Sequence, residues 1–492
     1  MRDRRVGVVA LAASTMLCTL AGCAALIPKY ERPAAPVPAT YAPEMTPASD
    51  PSSTPAADVA WQSFYVDQRL QRLIALSLAN NRDLRVAVLN IQQAQANYLV
   101  QRSNIYPTIG LGATAARAPS GNGNVASAYA VGLAISSYEI DFFGRVASLS
   151  QVAQQQYLAT AEARKTVQIS LISSVATTYL AVLADDELIR VTRQTLSTRE
   201  DSNRLTKLRF DNGASSELDY RQAESLLEGA RASLAQTIRQ KALDENALTL
   251  LVGQQLPADL PAPVPLDQQR LLADLPAGLP SDLLVRRPDI RSAEEQLLAA
   301  NANIGAARAA FFPHITLTTT AGTASNALSG LFKGGTFALT GTAQLLQPIF
   351  DFGRNNANLE IAKTGKEIAI AQYQKSIQTA FREVSDALAG RATFGEQLRA
   401  QAAQTNALAI TYRLADMRYR AGASSYLDSL DAQRALFVAQ QALIQTQAAQ
   451  LQNAVALYRA LGGGWTEGAE SGDAAAPTTV GSVASPASTT TR

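Results

Sequence analysis

The chain has 492 residues, 43 basic against 41 acidic, a net charge of +2, one histidine and two cysteines. That balance carries no nucleic-acid footprint. His314 alone cannot build the familiar histidine or thiolate metal sites, and no nucleophile motif accompanies it, so nothing selects an enzyme, a metal or a cofactor.

Residues 1–22 read as a signal peptide. Arg2, Arg4 and Arg5 precede an apolar run from Val6 to Leu20, followed by Leu20-Ala-Gly-Cys23. The run is shorter than the roughly 20 residues a bilayer span needs. Leu-Ala-Gly-Cys resembles the bacterial lipobox, which implies that Cys23 becomes the lipidated first residue, carrying S-diacylglycerol and an N-acyl group. Two or more acyl chains anchor a protein stably. Ala24, in place of an aspartate, implies sorting to the outer membrane. Cys18 leaves with the signal, so no disulfide is expected. Residues 23–60, rich in Pro, Ala, Ser and Thr, read as an extended tether with few groups to bury.

Proline placement outlines the rest. No proline lies between Pro119 and Pro257 or between Pro348 and Pro477, and good helix formers fill both windows. Each window is broken once, at Gly213 and at Gly422. The expectation is helices over 145–210 and 216–252, then over 354–420 and 425–461, with further helical segments at 67–105 and 281–311. The long members would reach on the order of 100 Å at about 1.5 Å per residue. Between 107 and 141, and between 313 and 351, large apolar residues alternate with small or polar ones, as in Tyr129-Ala-Val131-Gly-Leu133-Ala-Ile135 and Ile315-Thr-Leu317-Thr-Thr319. Period two means strands. Breaks at 118–124 and 321–326 would make two hairpins of about ten residues per strand, a bilayer-crossing length. Two hairpins of a soluble sheet fit the composition as well. If they do span a membrane, four strands cannot close a barrel, which starts at about eight. An open edge in lipid leaves backbone groups unpaired, so several chains must share one barrel. Residues 257–280 read as a linker and 463–492 as a disordered tail.

The two halves repeat each other. Arg209-Phe-Asp-Asn-Gly213-Ala-Ser-Ser-Glu-Leu-Asp219 returns as Arg418-Tyr-Arg-Ala-Gly422-Ala-Ser-Ser-Tyr-Leu-Asp428. Asp141-Phe-Phe-Gly144-Arg145 returns as Asp351-Phe-Gly353-Arg354, and Leu251-Val-Gly253 as Ala460-Leu-Gly462. A period near 209 residues is far longer than the 20–50 of solenoids. It marks a duplicated half, 61–256 and 281–462.

The run from Arg286-Arg-Pro288-Asp289-Ile-Arg291 through Asn301-Ala-Asn303-Ile-Gly305 to Phe311-Phe312-Pro313 resembles the signature of the TolC-type outer-membrane factors of tripartite efflux pumps, in their OprM/NodT-like lipoprotein branch. The strand-to-helix junctions at Asp141, Gly144, Arg145 and at Asp351, Gly353, Arg354 resemble that family's junctions. The resemblance implies a fold that is mainly α with a membrane β-barrel portion. It implies a homotrimer with a twelve-stranded β-barrel in outer-membrane lipid, continuous with a long periplasmic α-helical barrel. It also implies docking to a periplasmic adaptor (membrane fusion) protein and an RND-type inner-membrane transporter, with the chain as a passive exit duct for small molecules.

The family's periplasmic gate maps onto Asp428, Asp431 and Tyr419, at the tip turns Gly213 and Gly422. Asp428 and Asp431 are three residues apart and so share a helix face. An N-cap or a solvated first turn accounts for two such carboxylates equally well. In the first half Asp219 is followed by Gln222, so the pair is absent there. Ser424 stands where the family's prototype has an arginine that holds the closed state. Two alternatives remain on residues alone: the outer-membrane component of type I protein secretion, and a non-channel periplasmic coiled-coil lipoprotein.

Overall fold

The computed structural model describes residues 26–41, 55–120, 124–272 and 280–465. The signal peptide, Cys23 and residues 466–492 lie outside them. In chain order the elements are α1 (Trp61–Phe64), α2 (Gln68–Asn80), α3 (Arg82–Ser103), β1 (Ile109–Ser120), β2 (Asn124–Ile140), α4 (Arg145–Asp211) and α5 (Glu217–Val252). The second half follows as α6 (Pro280–Arg286), α7 (Pro288–Ala309), β3 (His314–Ser325), β4 (Phe337–Leu346), α8 (Arg354–Arg420) and α9 (Tyr426–Ala460).

The four long helices lie within a residue of the expected bounds. Two of the shorter expectations need correction. The helix expected over 67–105 is broken at Asn81, whose extended backbone ends α2 while its side chain accepts the Leu84 N–H to start α3. The helix expected over 281–311 is broken at Arg287, because the residue before Pro288 is driven out of the helical region.

The four strands form one antiparallel sheet in the order β1-β2-β3-β4, so the hairpins are joined through β2 and β3. β3 runs through 321–325, where a break was expected, and the chain turns over 326–336 instead. β2 has 17 residues, longer than expected, and carries a bulge between Ile135 and Tyr138 with Ser137 at φ 55°. α4 and α8 each have 67 residues. α4 packs against α3, α5, α7 and α9, and α8 packs against α7 and α9, so the helices form one continuous layer.

The main core lies within that layer. Phe64, Leu70, Leu73 and Ile74 of α1 and α2 are fully buried against Ile172, Val175 and Leu180 of α4 and against Val455 and Tyr458 of α9. Phe64 stacks on Tyr458 with ring centroids 4.1 Å apart. Each such side chain contributes roughly 1.5–3 kcal/mol by leaving water. A polar tie crosses this core, where Asp67 accepts from the Tyr179 hydroxyl at 2.7 Å and from Gln269 at 2.8 Å.

The described parts of three segments read as loose, residues 26–41, 257–272 and 463–465, are packed. Residues 26–41 are no free tether. Arg308 donates to the Leu26 carbonyl, Asn301 to that of Pro28, and both Tyr30 and Arg32 bind Glu294, so the segment runs along α7. It ends with Tyr41 buried and stacked on Phe381. The linker is held by buried Leu266 and by a bridge between Leu271 and Tyr65. The fold continues past 462: Gly463 lies on the Tyr458 ring and Lys165 covers Trp465.

Candidate functional site

At the tip, α4 and α8 end alike. Gly213 (φ 70°) and Gly422 (φ 73°) take the left-handed conformation that glycine adopts without strain. The N–H groups of Ala214 and Ala423 then close back on the carbonyls of Arg209 (2.7 Å) and Arg418 (2.9 Å).

The helices that follow start differently. In the first half Ser216 and Asp219 form a reciprocal capping box, and Asp219 also accepts from Ser215 at 3.0 Å. In the second half Ser425 caps α9 through the Asp428 N–H, but no bond returns. Asp428 is therefore no N-cap. Its carboxylate is exposed and has no hydrogen-bond or ion-pair partner among the described residues. Asp431 is also exposed, one helical turn on, with Arg434 at 3.5 Å.

Tyr419 is not beside these carboxylates. It is buried in a small apolar cluster with Ala223, Tyr426 and Leu430, flanked by Leu205 and Leu226, which draws on all four tip helices. The Arg209 guanidinium lies 4.6 Å from the centroid of its ring.

Two residues of this cluster's surroundings escaped the sequence reading. Tyr426 replaces Glu217 of the first half and meets the Ser202 hydroxyl at 3.2 Å. Buried Arg199 donates to the Leu226 carbonyl at 3.0 Å and lies over Phe437. Burial pulls its guanidinium below the ordinary value, and Arg434 adds to that. The mismatch of Glu217 with Tyr426 is visible when the halves are aligned; the burial of Arg199 has no local signal.

The junction residues act as strand-to-helix couplers. Asp141 accepts the N–H groups of Arg145 and Ala147, both at 2.7 Å, and so fills the open start of α4. Asp351 does the same for Gly353 (3.0 Å) and Asn355 (2.9 Å). Gly144 and Gly353 enter the helices at φ 72° and 83°. Arg145 reaches back to Glu139 in a two-point grip, 2.8 Å and 2.5 Å. Arg354 bonds through its backbone, its N–H donating to the Asp351 carbonyl at 3.2 Å.

The sheet has two unlike faces. Ile109 and Leu111 stand in register with Ile135 and Leu133, and beyond these lie Leu317, Leu339, Leu345 and Phe337. Most are well exposed, Leu111 at 80%. The opposite face forms a groove lined by Gly112, Thr114, Gly132, Thr320, Gly322 and Thr340. Gly132 and Gly322 are cross-strand partners, and a Cβ on either would strike the other strand's backbone. β1 and β4 each leave one edge unpaired.

The outer membrane efflux protein family model matches residues 73–254 and again 279–463, once in each half of the repeat. The chain is 48% identical over 459 residues to the toluene efflux pump outer membrane protein TtgF of Pseudomonas putida, covering 91% of this chain and 95% of that one. It is 43% identical over 475 residues to the outer membrane protein OprJ of Pseudomonas aeruginosa, covering 95% and 98%. Among solved structures, the open state of the MtrE outer membrane channel of Neisseria gonorrhoeae superposes with a TM-score of 0.82 at 40% identity, covering 90% of this chain and 99% of that one. A mainly helical wall surmounted by a membrane sheet, matched along nearly its whole length, establishes that this chain belongs to the outer membrane efflux protein family and serves as an outer-membrane efflux channel.

Proposed function

We propose that three copies of the chain close into one channel that forms the exit duct of a tripartite pump, receiving small molecules from an RND-type inner-membrane transporter through a periplasmic adaptor. The observation that carries this reading is the open four-stranded sheet, apolar on one face and lined with Thr and Gly on the other. In lipid its two free edges would each leave a row of unpaired backbone groups, at several kcal/mol per group. Pairing β4 of one copy with β1 of the next removes both edges. Three copies give twelve strands, within the range of bilayer-spanning barrels. The relatives described as exporting toluene or antibiotics support small molecules as cargo.

The gate is assigned to the tip. Asp428 and Asp431 of three copies would place six carboxylates about one axis, a ring that attracts cations. The tyrosine and arginine packing around Tyr419 would hold the helix pairs together where Ser424 offers no charge. Cys23, with its acyl chains, would fasten the same assembly to the outer membrane.

Purified full-length protein should run on gels as an SDS-resistant trimer that heat dissociates, and should conduct in planar bilayers. A protein extracted as a monomer without detergent would overturn the reading in favour of a non-channel lipoprotein.

A further inference from the structure

With the sheet closed as proposed, its Thr and Gly face lines the pore, and that face is almost without charge. Arg117 is the lone lysine or arginine in the four described strands. It alternates in step with Ile109 and Leu111 and therefore belongs to the lipid side. Glu139 and His314 are the exceptions. Glu139 pairs with Thr316 after the β2 bulge, and His314 precedes lipid-side Ile315 by one residue, so both fall on the Thr face at its helical end.

There they meet. His314 Nδ1 is 3.5 Å from Glu139 Oε1, and the other contacts of that carboxylate are with Arg145, the first residue of α4. The side chains of Glu139, Arg145 and His314 are 19%, 34% and 29% exposed, reachable by water but held in place. The remaining charge nearby, Asp141, is engaged by the helix amides of Arg145 and Ala147. β4 presents only Leu346 and Gln344 beside them.

We propose that Glu139, Arg145 and His314 of three subunits form a collar at the inner mouth of the barrel that contributes to the ion preference of the pore and shifts it toward anions when His314 takes up a proton. Glu139 and Arg145 offset each other, so a proton on His314 moves the ring toward positive charge. In a pore walled by hydroxyls and glycine backbone, such a ring supplies the dominant local field. Histidine is the side chain whose ordinary charge change falls between about pH 5 and 8. The collar rests on the trimeric closure above, and is separate from the tip carboxylates.

The test is reversal potential across planar bilayers holding the full-length protein in asymmetric KCl. The wild type should gain anion preference, by roughly twofold or more, between pH 8 and pH 5. His314→Gln should be flat over that range, and Glu139→Gln should be more anion-preferring at both pH values. An undiminished pH shift in His314→Gln, or none in the wild type, would overturn the collar.

A second readout needs no conduction. His314 is the chain's one histidine, so untagged protein with labelled histidine gives a single ring resonance to follow. Glu139→Gln should move that resonance at fixed pH, because the carboxylate 3.5 Å from Nδ1 is replaced by an amide; an unmoved resonance argues against the contact. A conducting trimer indifferent to these substitutions sinks the collar alone. Protein that neither trimerises nor conducts sinks the channel reading and the collar with it.

Discussion

Arg287 Nη1 donates to Glu383 at 2.9 Å, tying the start of α7 to the middle of α8. The same nitrogen reaches the Ala460 carbonyl at 2.8 Å, at the end of α9, and the rest of the guanidinium grips Asp289. One buried side chain thus joins three helices of the second half.

Arg287→Ala removes the guanidinium from Glu383, Asp289 and a helix-end carbonyl, leaving Glu383 with Arg459 at 3.7 Å and Asp289 with the Ile290 N–H. Breaking a buried pair in this way costs about 3–5 kcal/mol. Arg287→Lys should recover part of it, since an ammonium cannot fork to two carboxylates and a carbonyl at once. Urea unfolding of the detergent-solubilised protein measures both. Equal stability of all three proteins would show that the contacts are incidental.

Two glycines with matching backbones separate strain from packing. Gly213 (φ 70°) faces open space, whereas a Cβ on Gly253 (φ 78°) would lie 2.6 Å from the Asn80 carbonyl oxygen. Gly213→Ala should cost only the left-handed penalty, about 1–2 kcal/mol. Gly253→Ala adds a steric clash with the backbone where α2 and α5 meet, and should cost distinctly more. Thermal midpoints that fall equally would show that the Asn80 backbone simply moves aside.

Asp428→Ala with Asp431→Ala should weaken block of the channel by polyvalent cations and reduce its cation preference, because the tip ring loses its negative charge. Asp219→Ala should leave block unchanged while destabilising α5 by about 1 kcal/mol through loss of the capping box. If the two sets of variants block alike, the second-half carboxylates are not the gate.

Asp185 of α4 is buried near Asp244 of α5, with one carboxyl oxygen enclosed and unpartnered. Burial, reinforced by Asp244 and by the charge of Asp186 and opposed by Lys241, pushes Asp185 up to about 7. In the unfolded chain an aspartate titrates near about 3.9. The folded state therefore holds a proton that the unfolded state releases between these values, so stability is full below about pH 4, declines toward pH 7, and stays low above it. Asp185→Asn should flatten this slope and raise the thermal midpoint at pH 8. A variant that keeps the wild-type slope between pH 5 and 8 would point to other groups.

Much of the architecture was legible because its signals are local. Proline-free windows, the Gly213 and Gly422 breaks and the period-two runs depend on neighbours a few residues away, and they placed α4, α5, α8, α9 and four strands. The repeat carried the junctions too, since Asp141 and Asp351 cap helices using amides two to six residues on. Even the partial failures were local. Pro288 announced the break at Arg287, and the continuation of β3 past 321 follows from pairing with β2 as far as Ser325 and with β4 as far as Thr323.

What only the tertiary structure decided are contacts between residues far apart in the chain. Tyr30 meets Glu294 across 264 positions, so a segment with a tether's composition becomes a packed strap. Tyr419 and Asp428 sit close in sequence, yet one is buried among four helices while the other is exposed. Composition and spacing fix which groups a segment offers. Which of those groups leave water depends on the elements that fold against it, and no window of sequence contains them.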